Sequence, residues 1–102
     1  MTAELLAVLR IVRIDRLVIQ YKLFYYRNEH TLPFKVVYTI TSKNSIFGGS
    51  KSFENLEEAL ESIAHRLVDD RKYIRFVSYR FINRNVSKEL EKLVSMVLLQ
   101  YM

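Results

Sequence analysis

Side chains that could catalyse a reaction or bind a metal ion are few and scattered in this sequence. The two histidines, His30 and His65, lie in a predicted loop and a predicted helix without further ligands at metal-binding spacing. Glu61 precedes His65 by four residues, but an exposed pair on one helix face explains this spacing better than a metal site. The Gly-Gly-Ser sequence at 48–50 is too short for a phosphate-binding loop. We therefore predict no metal site, no cofactor and no enzymatic activity.

The acidic side chains do not form the paired carboxylates in a cleft that many hydrolases need. Asp69 and Asp70 follow each other at the end of a predicted helix, where the helix dipole disfavours negative charge. An ion pair with Arg71 or Arg16 is the expected compensation. The other acidic cluster lies at the start of the same helix, where the dipole stabilises it: Glu54, Glu57, Glu58 and Glu61.

Aromatic rings and cations alternate along two predicted strands, at 17–26 and 73–82. Their period of two predicts that each strand turns one face away from the core. Tyrosine and arginine are favoured in protein interfaces, and rings interleaved with cations also form stacking platforms for unpaired bases. We predict that one outward face forms the partner-binding surface, with the residues Gln20, Lys22, Phe24, Tyr26, Arg75, Val77, Tyr79 and Phe81.

The elements that would position these residues define an α+β fold. Alternating apolar residues predict strands at 17–26, 34–41 and 73–82, and helical spacing predicts helices at 3–14, 55–68 and 87–101. We expect an antiparallel sheet of three or more strands packed with three helices.

Local signals refine these boundaries. Asn55 and Glu58 form a capping-box pattern at the start of the second helix, and Asn85 or Ser87 is expected to cap the third. Apolar residues flank the glycine pair at 48–49, which suggests a short hairpin.

Composition restricts the class of protein. The chain has 102 residues, 50% of them hydrophobic, with two glycines and one proline, which predicts one folded domain over 1–102. Because it has no cysteine, disulfides and thiol chemistry are excluded. No apolar run is long enough for a membrane span, and the start does not resemble a signal peptide, so we expect a cytoplasmic protein. The net charge of +5 favours anionic partners.

A weak internal duplication emerges when the chain is shifted by 55 residues. Asp15-Arg16 then falls on Asp70-Arg71, and Ile19 falls on Ile74, each time after a predicted helix and at the start of a predicted strand. We therefore predict two related helix-strand halves, at 3–27 and 58–82, with a groove between them.

The composition, length and weak duplication together resemble the small orphan proteins of filamentous viruses that infect hyperthermophilic archaea, such as Acidianus filamentous virus. Few glycines and glutamines, no cysteine, and abundant Ile, Val, Leu, Tyr and charged residues carry this resemblance. It implies a viral protein in the host cell cytoplasm and transfers no functional residue.

The leading functional prediction is a non-enzymatic module that binds a protein or an extended peptide, at a sheet edge or in the groove between the two halves. The alternative is a small basic nucleic-acid-binding protein. The last helix has more apolar side chains than one face needs, so it predicts a homodimer or a partner groove there. These side chains are Val94, Met96, Val97, Leu98, Leu99, Tyr101 and Met102.

Overall fold

The computed structural model describes residues 2–28 and 30–100, apart from the side chains of Phe81 and Gln100. Within these residues the fold is α+β, with one five-stranded antiparallel sheet and two α-helices. The elements in chain order are β1 (Ala3–Arg13), β2 (Val18–Tyr26), β3 (Phe34–Thr41), β4 (Ile46–Phe53), α1 (Leu56–Asp70), a 3-10 turn (Arg71–Tyr73), β5 (Ile74–Phe81) and α2 (Arg84–Gln100).

The first four strands form an antiparallel meander, and β5 joins it next to β1, so the strand order is β4-β3-β2-β1-β5. In the central register Leu9 lies opposite Tyr21 on β2 and opposite Tyr79 on β5. Tyr21 in turn lies opposite Tyr38 on β3. These four residues define one row across the sheet, and therefore one of its two faces.

The helix predicted at 3–14 is wrong, because this segment is the central strand β1. Leu5, Val8, Leu9 and Val12 have helical spacing only because the apolar run is almost continuous, and such a run fits a buried strand equally well. Residues 6–9 are all buried, as a strand between two neighbours requires. The predicted three-helix layer is therefore a layer of two helices.

The predicted hairpin around Gly48 and Gly49 is also wrong, since both glycines lie inside β4. A Cβ at Gly48 would come within 2.3 Å of the Tyr38 carbonyl oxygen, and one at Gly49 within 3.0 Å of the Tyr38 hydroxyl. The glycines thus mark a close approach between β3 and β4 rather than a turn.

The helices begin where asparagine side chains cap them. Asn55 Oδ1 accepts a hydrogen bond of 2.9 Å from the backbone N–H of Glu58, which confirms the predicted cap of α1. The cap of α2 is Asn83, whose Oδ1 accepts from the backbone N–H of Val86 at 3.3 Å. The prediction of Asn85 or Ser87 as that cap is wrong by two to four positions.

Both helices cover the same face of the sheet. α1 packs against β3 and β4, α2 packs against β1 and β5, and the helices contact each other. Each contributes one apolar stripe to a single core. The stripe of α1 consists of Ala59, Leu60, Ile63 and Leu67, and that of α2 of Val86, Leu90, Val94 and Val97.

The predicted halves do not correspond in structure. Residues 3–27 contain two strands, whereas residues 58–82 contain a helix and a strand. Burial also differs at the aligned positions, because Tyr21 is buried whereas its counterpart Phe76 is 54% exposed. The groove expected between two superposable halves is therefore not a feature of this fold.

Candidate functional site

The candidate site is the face of the sheet that the helices leave uncovered, here called the open face. Side chains alternate between the two faces along each strand, so the residues next to Leu9 and Tyr21 in their strands point to the open face. The residues that pair with these neighbours on adjacent strands lie on the same face. Its central row runs from Arg80 on β5 through Val8 and Lys22 to Val37 and Ser50 on β4. Val8 is buried there without joining the helix-covered core, because it lies between longer neighbours.

The charged side chains on the open face are all positive in the part of the chain that the structure describes. Four cations lie on it, and no Asp or Glu occupies a paired strand position on the same face within the described residues. None of the four forms an ion pair with another described residue. They are Arg10, Lys22, Lys35 and Arg80.

Three aromatic rings accompany these cations. Phe24 and Tyr26 are neighbours on β2, with ring centroids 6.3 Å apart, and the Lys35 ammonium lies 5.7 Å from the Tyr26 ring centroid. Phe76 lies at the opposite corner of the face, next to Val12 on β1, and is 54% exposed. None of the three rings packs against the helix-covered core, so all three belong to the open face.

The predicted surface residues separate into two groups. Gln20, Lys22, Phe24 and Tyr26 lie together on the open face, as neighbours along β2. Val77 and Tyr79 pack against the core on the opposite face, so the predicted single surface is not formed.

The other two predicted residues lie in β5. Arg75 is exposed at a register shift and pairs with no β1 residue, whereas the Phe81 side chain lies outside the described part of the structure. Burial raises the pKa of the Tyr79 hydroxyl to about 12, which agrees with its position under α2.

Sequence reasoning missed four residues of the open face. Arg10 falls within the helix predicted at 3–14, and the predicted surface does not include Lys35, Phe76 or Arg80. The missing signal was the strand character of β1. In a strand, Arg10 points to the face opposite that of Leu9 and Ile11, and it therefore lies on the open face.

A small cleft of about 210 Å³, lined by both apolar and charged side chains, lies at one end of the helix-covered side. Arg13 donates hydrogen bonds of 2.7 Å to both Asp15 and Asp70, and its guanidinium lies 4.4 Å from the Tyr73 ring centroid. Burial raises the pKa of the Asp70 carboxyl, and Arg13 only partly offsets this. The expected partner of Asp70, Arg71 or Arg16, is replaced by Arg13, so the cleft is best explained as an internal ion-pair network.

The described part of the chain contains neither a metal-binding cluster nor a membrane-spanning helix. In residues 2–28 and 30–100 no three His, Asp or Glu side chains lie close enough to share a metal ion. No helix in that part of the chain is both long and apolar enough to cross a membrane. Comparison with protein-family models, with curated proteins and with solved structures finds no match for this chain.

Proposed function

We propose that this protein is a non-enzymatic module that binds single-stranded nucleic acid across the open face of its sheet. The observation that carries the proposal is the combination of four cations and three aromatic rings, without an acidic side chain, among the described residues of one uncovered face. The cations would contact phosphates and the rings would stack on bases.

The electrostatic support comes from the opposite distribution of charge on the two layers. The helical layer has a net charge of −3, because α1 contains five acidic residues and one arginine, whereas α2 contains three cations and two glutamates. A polyanion is therefore attracted to the open face and repelled from α1, which favours one orientation of binding.

The positions of the rings favour an unpaired strand over a duplex. The path from Tyr26 past Lys22 and Arg10 to Phe76 spans roughly 28 Å, from strand rise and strand spacing. This length suits about four or five nucleotides, at the low end of known single-strand sites. Bases of an intact duplex would not be available for stacking on these rings.

An extended peptide on the same face, the leading prediction from sequence, has weaker support. The unpaired cations would have to be matched by acidic residues of the peptide.

The test is the salt dependence of binding to a fluorescently labelled oligothymidine, followed by anisotropy. Four phosphate contacts predict a slope of log K against log salt of about −2.8 for a single strand. Arg10→Gln and Arg80→Gln should each make the slope less negative by about 0.7. Lys88→Gln, an exposed cation on α2, is the matched control and should leave the slope unchanged.

Equal effects of all three substitutions would overturn the open face as the site. Binding that is insensitive to salt would overturn the nucleic-acid proposal and favour a peptide ligand. A duplex of the same length should bind more weakly than the single strand, and tighter duplex binding would contradict the role of the rings.

A further inference from the structure

The two outer edges of the sheet differ in whether a further strand can pair with them. β4 forms one edge, and the backbone hydrogen bonds of its described residues are those of its ladder with β3. Its outer row of backbone groups is therefore available to another strand. Two large apolar side chains at one end of β4 are exposed, Ile46 at 73% and Phe47 at 59%.

The opposite edge, β5, has the features that block strand addition. A register shift leaves Arg75 without a partner on β1, and Arg75 and Arg80 are both exposed. Bulges and charged side chains are the usual means by which proteins prevent edge pairing. β4 has neither a bulge nor an acidic residue, and Lys51 is its one charged residue. The sheet can thus be extended at β4 but not at β5.

We propose that β4 pairs antiparallel with β4 of a second copy of this chain, about a two-fold axis perpendicular to the sheet. Such an axis keeps both helical layers on one side, so opposite residues must point to the same face. The axis then passes midway between the two copies of one residue, and we assign this residue as Ser50. In this register Phe47 lies opposite Phe53 of the second copy, and Lys51 lies opposite Gly49 rather than another cation.

A second copy fits this edge better than an unrelated strand, because in this register the side chains of β4 lie opposite compatible side chains of the other β4. The exposed Phe47 ring gains an aromatic cross-strand neighbour at both ends of the pairing. Residues 47–53 would add about seven backbone hydrogen bonds. Because the β5 edges stay blocked, growth stops at two copies rather than continuing into a fibre.

The resulting ten-stranded sheet would place both open faces on the same side, as one continuous surface. This dimer stands on the edge geometry alone and does not depend on nucleic-acid binding. Its test is therefore carried out without nucleic acid, so that failure of one proposal leaves the other standing.

The experiment uses the absence of cysteine in the natural chain. Under mild oxidation Ser50→Cys should form a disulfide-linked dimer, because the two copies of residue 50 face each other. Ser52→Cys, two residues along β4, and Ser78→Cys, on β5, should stay monomeric on a non-reducing gel. Equal cross-linking of all three variants, or none at Ser50→Cys, overturns the register.

Sedimentation equilibrium tests the dimer itself. The unmodified chain should sediment as a dimer, and Ser50→Glu should shift it to a monomer by placing two carboxylates opposite each other. Circular dichroism should show that Ser50→Glu keeps its fold, since Ser50 is exposed. Leu99→Glu, on the exposed side of α2, should leave the dimer intact. A monomeric unmodified chain, or a dimer lost only in Leu99→Glu, overturns the proposal, and the latter result would support the dimer predicted through the last helix.

Discussion

At the scale of single residues, strand parity decides which aromatic rings are available to a ligand. Tyr26 and Tyr79 looked equivalent in sequence, since each belongs to an alternating aromatic strand with nearby cations. The fold places Tyr26 on the open face and packs Tyr79 against the core. The same substitution at the two positions should therefore have opposite consequences.

We expect Tyr79→Ser to lower the free energy of unfolding by about 2 kcal/mol, as expected for loss of a half-buried ring. Tyr26→Ser should lower stability by less, about 1 kcal/mol or below, but weaken oligothymidine binding by about 1–3 kcal/mol through lost stacking. Urea unfolding and anisotropy measure the two effects. A large loss of stability in Tyr26→Ser would show that this ring has a structural role.

The two acidic partners of Arg13 provide a second residue-scale prediction, because their pKa values shift in opposite directions from the ordinary 3.8. The hydrogen bond from Arg13 lowers the pKa of Asp15, so the unfolded state binds more protons and the stability from Asp15 is lost as pH falls below about 4. Burial raises the pKa of Asp70, so the folded state binds more protons and stability from this group falls as pH rises above about 4.

Urea unfolding between about pH 2 and pH 6 should therefore separate the two variants. Relative to the unmodified chain, Asp70→Asn should become more stable as the pH rises above about 4. Asp15→Asn should become less stable, relative to the unmodified chain, as the pH rises from about 2 to about 4. Parallel pH profiles for the two variants would contradict the assignment of burial as the dominant influence on Asp70.

At the scale of elements, each helix depends on an asparagine cap, whose side chain accepts a hydrogen bond from a backbone N–H that has no partner within the helix. Asn55 and Asn83 cap α1 and α2, whereas Asn85 lies exposed in the first turn of α2. Substitution of a cap by alanine costs about 1 kcal/mol, and alanine inside a helix is slightly better than asparagine.

Asn55→Ala and Asn83→Ala should each lower the free energy of unfolding by about 1 kcal/mol. Asn85→Ala should leave it within about 0.5 kcal/mol of the unmodified value. Thermal or urea unfolding of the three variants is sufficient. If Asn85→Ala proves as damaging as Asn83→Ala, the start of α2 lies closer to the position expected from sequence.

At the scale of the whole molecule, the two layers divide the charge between them. The net charge of +5 is the remainder of a helical layer of net charge −3, an open face with four cations, and a further surplus of cations in the loops and the other strand positions. Sequence alone gives only this remainder, and a value of +5 is modest evidence for a nucleic-acid partner. The separation of the charges, which the tertiary structure creates, is the support for the proposed polyanion site on the open face. The viral origin and cytoplasmic location suggested by the resemblance stay predictions.

The sequence by itself determined those features that depend on neighbouring residues. The strands β2 and β3, the helix α1 with its Asn55 cap, and most of α2 follow from alternation, helical spacing and capping chemistry. Each of these signals is local, because period and cap are defined within a few residues along the chain.

Only the tertiary structure decided the nature of β1 and the faces of β5. The apolar run at 5–12 satisfies a helix and a buried strand equally well, and the choice depends on pairing with β2 and β5. The face to which Tyr79 points depends on its register against Leu9, and one step of register exchanges the two faces of a strand. Register is a contact between distant segments, so no periodicity within 74–81 could have assigned Val77 and Tyr79 to the core and Phe76 and Arg80 to the open face.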